Sequence, residues 1–77
     1  MSIEKNVIDY LKETFRLEQV NLDMNFRDDL GFDSLDLVEL VAYLEDVLHH
    51  HVTDEELSQL TTVRDVVHFL QAKGADI

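Results

Sequence analysis

The sequence predicts an all-α domain with four helical segments, three longer and one short, and a long loop between the first and second. Three observations lead there. The 77 residues contain no proline and only two glycines, Gly31 and Gly74, so few positions break a helix. Apolar residues recur at three- and four-residue spacing in three separate stretches. Each stretch begins behind a residue able to cap a helix, and Thr53 opens a fourth, shorter one. A chain of this length is expected to be one domain, residues 1–77. Such a domain buries only roughly 60% of its unfolded surface, so its core is modest. There is no cysteine to cross-link it, which fits a reducing compartment.

The first helix is read from Ile3, Val7, Tyr10, Leu11, Thr14 and Phe15, which make one stripe, with Lys5, Asp9, Lys12 and Arg16 on the other side. Ser2 is its N-cap, with Lys5 where a capping box would want an acid. Residues 17 to 33 form the long connection. Leu17, Val20, Leu22, Phe26 and Leu30 occur there without helical period, so the loop is expected to pack on the core. Long loops in small domains are uncommon and often functional. The second helix runs from about Ser34 to His49, with Asp33 as N-cap and Asp36 in its first turn. Thr53 and Glu56 make a T-x-x-E capping box for the short third helix, which carries Leu57 and Leu60. Thr62 caps the last helix, Val63, Val66, Val67 and Leu70 form its stripe, and Gly74 stops it.

Charge is the strongest global feature. The formal net charge is −11, from 17 acidic against 6 basic residues. No Lys or Arg occurs between Asp28 and Val63. Such a surface repels nucleic acid and anionic membrane and attracts a basic protein partner. No apolar run is long enough to span a bilayer, and the N-terminus lacks the pattern of a signal peptide. A cytoplasmic location is expected. The opening Met1 and the lack of linkers predict a free-standing monomer.

The second helix has two apolar faces. On a wheel at about 100° per residue, Leu37, Leu40, Val41, Leu44, Val47 and Leu48 fall on one side, the core. Leu35, Val38 and Ala42 fall on the opposite side, among Glu39, Glu45 and Asp46. An apolar strip edged by carboxylates has the character of a docking surface: burial at the centre, steering at the rim. Single exposed apolar residues are ordinary. Three on one face, next to the only motif-like serine, favour docking.

That serine, Ser34, could be a helix cap, a nucleophile or an attachment point. As a nucleophile it needs a base and an oxyanion hole. "GFDSL" is superficially like the Gly-Asp-Ser-Leu hydrolases, but Phe32 interrupts the motif, and there is no G-x-S-x-G elbow or strand-turn-helix pattern. His49, His50 and His51 lie about four helical turns away at roughly 1.5 Å per residue. As an attachment point Ser34 is well placed, because unpaired N–H groups and the positive dipole end of a helix favour an anion.

"DLGFDSLDLVELVAYLED" resembles the core of the acyl carrier proteins, and "DEE" (Asp54 to Glu56) and "TTV" (Thr61 to Val63) match that family as well. The resemblance covers nearly the whole chain. It implies a four-helix bundle with 4'-phosphopantetheine, taken from coenzyme A, attached covalently to Ser34. It implies no catalysis by the chain itself: acyl intermediates would be held as thioesters on the arm and delivered to fatty acid, polyketide or related biosynthetic enzymes. The implied partners are a phosphopantetheinyl transferase (holo-acyl-carrier-protein synthase) and acyl-chain synthases, acyltransferases and reductases with basic docking patches. The family's partner surface maps onto Asp33, Leu35, Asp36, Val38, Glu39, Ala42, Glu45 and Asp46, the face that the wheel singles out. A peptidyl or D-alanyl carrier shares the modified serine, and an unmodified acidic interaction module shares the composition. Leu35 after the serine and the strong acidity favour an acyl carrier.

Two departures from the family bear on cargo. Fatty-acid members commonly have methionine where Ala42 stands, and alanine where Tyr43 and Leu57 stand. The docking spot is therefore expected to be smaller, and Tyr43 and Leu57 could narrow a chain-holding cavity, which points to short or unusual acyl groups. His49, His50 and His51 replace a usually acidic or polar stretch. Adjacent residues do not converge on one side of a helix, so no metal site is expected, and imidazolium near a helix C-terminus is favourable. A calcium loop starting at Asp23 fails, with Arg27 at its fifth position and Asp28 where glycine is needed.

Overall fold

A computed structural model describes residues 2–77; Met1 lies outside the described residues. Four helices follow one another: α1 (Ile3–Thr14), α2 (Ser34–Leu48), α3 (Asp54–Ser58) and α4 (Val63–Ala72). Among the described residues there is no strand, only a single antiparallel bridge between Asn25 and Thr62. The expected elements are all present, and each starts at the cap anticipated for it. Ser2 Oγ accepts from the Lys5 N–H, without a reciprocal partner. Asp33, Thr53 and Thr62 each form a complete capping box, with Asp36, Glu56 and Asp65 respectively. These boxes satisfy N–H groups that otherwise have no partner inside the helix.

Two helices end on non-glycine residues in the left-handed region. Arg16 follows α1 at φ 55° and His49 closes α2 at φ 59°. The His49 N–H still reaches the Glu45 carbonyl at 2.8 Å, which keeps the last turn intact while the chain reverses.

The core is one cluster drawn from every segment except α3. Val7 and Leu11 come from α1, Leu40 and Leu44 from α2, and Val63, Val66, Val67 and Leu70 from α4. The loop adds Val20, Phe26 and Phe32. Helix α3 contributes no buried residue and leans on the core through half-buried Leu57.

The long loop is fastened at several points. The Phe26 N–H donates to the Thr61 carbonyl, the Val63 N–H to the Met24 carbonyl and the Arg64 N–H to the Leu22 carbonyl. The Asp29 carboxylate accepts from the Asn25 N–H at 2.7 Å, and Asn25 Oδ1 accepts from the N–H groups of Arg27 and Asp28. The loop is thereby tied to the start of α4 while its aromatic rings fill the core. It delivers the start of α2 in a defined place.

Candidate functional site

The site is built from the turn that enters α2. Gly31 takes φ 70°, where side chains are strained. Phe32 follows and is buried, its ring 5.2 Å from Phe26 and 4.4 Å from Phe15 between centroids. The Phe32 N–H donates to the Phe26 carbonyl at 2.8 Å. One residue on, Asp33 Oδ1 accepts from the Asp36 N–H at 3.0 Å, and Asp36 Oδ2 accepts from the Asp33 N–H at 3.1 Å. A buried ring and a closed carboxylate pair thus hold the turn on either side of its polar tip.

Ser34 is the first residue of α2 and is exposed. The cap is Asp33, so the Ser34 hydroxyl is not spent on capping. Asp33 and Asp36 satisfy each other's N–H groups, which leaves the N–H groups of Ser34 and Leu35 as the ones at this helix start without an intrahelical acceptor. The positive end of a helix of 15 residues is open beside the hydroxyl. His68 lines a separate groove with Glu56, Asp65 and Lys73.

Ser34 stands on the rim of a groove of about 450 Å³ between α2 and α3, walled by Leu37, Val38, Val41, Ala42 and Leu57. Glu45 and Asp54 edge it. A second cavity, of about 470 Å³, lies on the far side of Leu37 and Leu57 and shares both side chains and Asp54 with the first. The expectation that both Tyr43 and Leu57 narrow a cavity is corrected for Tyr43. Leu57 lines both cavities. Tyr43 projects to the other flank of α2 and stacks on Tyr10, with ring centroids 3.7 Å apart and planes 9° apart.

The outward face of α2 has Leu35 78% and Val38 65% exposed, the two large apolar side chains most open to solvent. Ala42 is exposed beside them, as are Asp33, Glu39 and Asp46. Asp36 and Glu45 are half-buried. Asp36 is engaged in the cap, and Glu45 Oε2 accepts from the Val52 N–H at 2.8 Å and contacts His51 Nδ1 at 2.8 Å. Asp33 Oδ1 is likewise engaged in the cap, so two of the five carboxylates on this face, those of Glu39 and Asp46, carry no such bond and are free to meet a partner. His49, His50 and His51 follow the helix end, and no group of three or more metal-ligating side chains forms among the described residues. Reading the sequence did not single out Arg27, which lines the second cavity. The one signal for it was its place as the last basic residue before the long acidic stretch.

The family defined by the phosphopantetheine attachment site matches residues 5–70. A curated acyl carrier protein of Bdellovibrio bacteriovorus is 40% identical over 76 residues, covering 96% of this chain and 97% of that one. The chain belongs to the acyl carrier protein family. Two solved structures, both provisionally described as acyl carrier proteins, share the fold at 26% identity. One, from Mycobacterium tuberculosis, has a TM-score of 0.82 over 92% of this chain and 97% of its own. The other, a solution structure from Anaplasma phagocytophilum, has a TM-score of 0.83 over 97% of this chain and 91% of its own. The cofactor of this family is 4'-phosphopantetheine, and its members are carriers rather than catalysts. Among the described residues no helix is long and apolar enough to cross a membrane.

Proposed function

We propose that Ser34 is the attachment residue and that the chain is a cytoplasmic, monomeric carrier of short acyl groups. The observation that carries this reading is the uncommitted Ser34 hydroxyl at the start of α2, on the rim of an apolar groove. A serine needed for its own helix cap would lose that bond on modification, and here Asp33 takes the cap instead. In the loading step a transferase directs the Ser34 oxygen onto the phosphorus nearest the pantetheine in coenzyme A. A phosphodiester forms, the pyrophosphate bond breaks and the adenosine bisphosphate leaves. The open N–H groups of Ser34 and Leu35 suit the phosphodiester's negative charge. The bound arm supplies a terminal thiol whose thioesters are activated for acyl transfer.

The remaining work falls to the chain's surface. Leu35, Val38 and Ala42 offer a small apolar centre, and Asp33, Glu39 and Asp46 an acidic rim, for enzymes with basic docking patches. Asp36 and Glu45 belong to the same face, but their carboxylates also hold α2 and the following loop in shape. The groove walled by Leu37, Val41 and Leu57 can shelter cargo, and Leu57 limits its room. The test is intact mass after incubation with coenzyme A, magnesium and a broad-specificity phosphopantetheinyl transferase. One phosphopantetheine should be gained, and Ser34→Ala should gain nothing. An unchanged mass for the unsubstituted protein, or modification of the Ser34→Ala variant, would overturn the assignment.

A further inference from the structure

We propose that this carrier is selective for short acyl groups bearing a hydroxyl or amide substituent, read by Arg27, Asp54 and Thr61 in the cavity beyond Leu57. The inference rests on Ser34 being the attachment point. The groove at Ser34 is largely apolar, whereas the cavity behind it is mixed. Its floor is Phe26 and Leu60, but Arg27, Asp28, Asp54, Ser58 and Thr61 also line it. Ligand sites of comparable size, about 300–1,000 Å³, are usually lined by apolar side chains with few polar groups. Here six of the ten lining residues are polar or charged, and Arg27, Asp28, Asp54, Ser58 and Thr61 stand exposed at its mouth. Arg27 makes no ion pair among the described residues, where every ion pair belongs to another base.

The two cavities share Leu37, Leu57 and Asp54, so a group tethered at Ser34 that passes Leu57 meets this polar lining next. A plain alkyl end there would take part of the water from the exposed guanidinium and carboxylates at the mouth and return no hydrogen bond. A hydroxyl or amide can accept from Arg27 and donate to Asp54, replacing the lost water. A carboxylate is disfavoured, because Asp28 and Asp54 outnumber the single arginine. The apolar walls suit the first few carbons and the polar cavity suits the substituted end.

The experiment compares the holo-protein loaded with hexanoyl and with 6-hydroxyhexanoyl groups, which differ only at the far end, by amide chemical shifts. Intact mass is measured first, and failure of Ser34 to load overturns the carrier reading together with this one. With both forms loaded, the hydroxyacyl form should shift the amides of Arg27, Asp28, Ser58 and Thr61 more than the hexanoyl form does. The sheltered-to-free ratio should favour it roughly fivefold, the size that one net hydrogen bond supplies. Arg27→Met, which keeps the aliphatic stem, and Asp54→Asn should each reduce that preference. Equal shifts for the two cargoes, or a preference untouched by both variants, would overturn the selectivity and leave the carrier reading standing.

Discussion

At the scale of single residues, the division of labour around Ser34 is the informative feature. Asp33 and Asp36 cap the helix for one another, so the serine between them is free for chemistry. A residue that does its local job at a cost is His49, held at φ 59°. Left-handed backbone costs an ordinary residue about 1–2 kcal/mol. Glycine avoids that strain but loses about 0.5–1 kcal/mol to its freer unfolded chain. His49→Gly should therefore stabilise the protein by about 0.5–1 kcal/mol, seen as a higher urea midpoint at unchanged slope. A lowered midpoint would mean that the imidazole contributes more than its backbone costs. Asp33, Thr53 and Thr62 were legible as caps because each precedes an apolar stripe at fixed offset. Phe32 was not, because nothing in a loop without period distinguishes a buried ring from an exposed one. Tyr43 sits at the edge of the wheel, where periodicity alone does not say which neighbour it will find, and only the fold brings it to Tyr10.

At the scale of elements, α3 is the piece least supported by burial and most supported by polar contacts. Its Thr53–Glu56 box holds one end, and Lys73 of the segment after α4 reaches back to Glu56 at 2.9 Å. The Lys73 hydrogen bond, then the Thr53 backbone N–H, hold the Glu56 carboxyl down at about 2 against a usual value of 4.5. A depressed acid stabilises the fold above its unfolded pKa, and that contribution is lost as pH falls through the folded value. Wild type should thus be more stable than Glu56→Gln at neutral pH. The gap between their melting temperatures should close as pH falls from about 4.5 to about 2. A gap that does not change over that window would show that the Lys73 contact is idle. Both side chains are partly exposed, 38% and 27%, so salt should shrink the effect. The helices were readable from sequence because their signal is local. The fastening of residues 17 to 33 was not, since it depends on Asn25 pairing with Thr62, 37 positions away (62 − 25). Periodicity did not show the groove between α2 and α3, for which only the family resemblance spoke: Leu37 and Leu57 share a wall only once the loops have set the helices side by side.

At the scale of the whole molecule, charge works against folding and for encounter. A net charge of −11 is carried by a body 28 Å across. At about 0.01 M salt the screening length is about 30 Å, so every carboxylate feels the others, and at about 1 M it is about 3 Å. Added salt should therefore raise the melting temperature, by roughly 4–8 °C for each kcal/mol of repulsion relieved in a domain of this size. The same salt should weaken association with a basic transferase, mainly through a slower encounter rate. Opposite salt responses of stability and binding are the expected signature, and a melting temperature that is flat in salt would argue against self-repulsion. The sign of this field was plain in the sequence. Its placement was not: on the α2 face Glu39 and Asp46 stand free, while Asp33, Asp36 and Glu45 are engaged in holding the backbone.

The stacked tyrosines give the protein an optical reporter of its own. The chain has no tryptophan and two tyrosines, and both rings sit in that one pair. At 3.7 Å their transitions couple, so near-ultraviolet circular dichroism reads the seam between α1 and α2. The pair lies on the flank of α2 away from the groove walled by Leu57. Loading and unloading of cargo can then be followed at the groove while this signal reports separately, and without a label, whether the bundle has stayed closed.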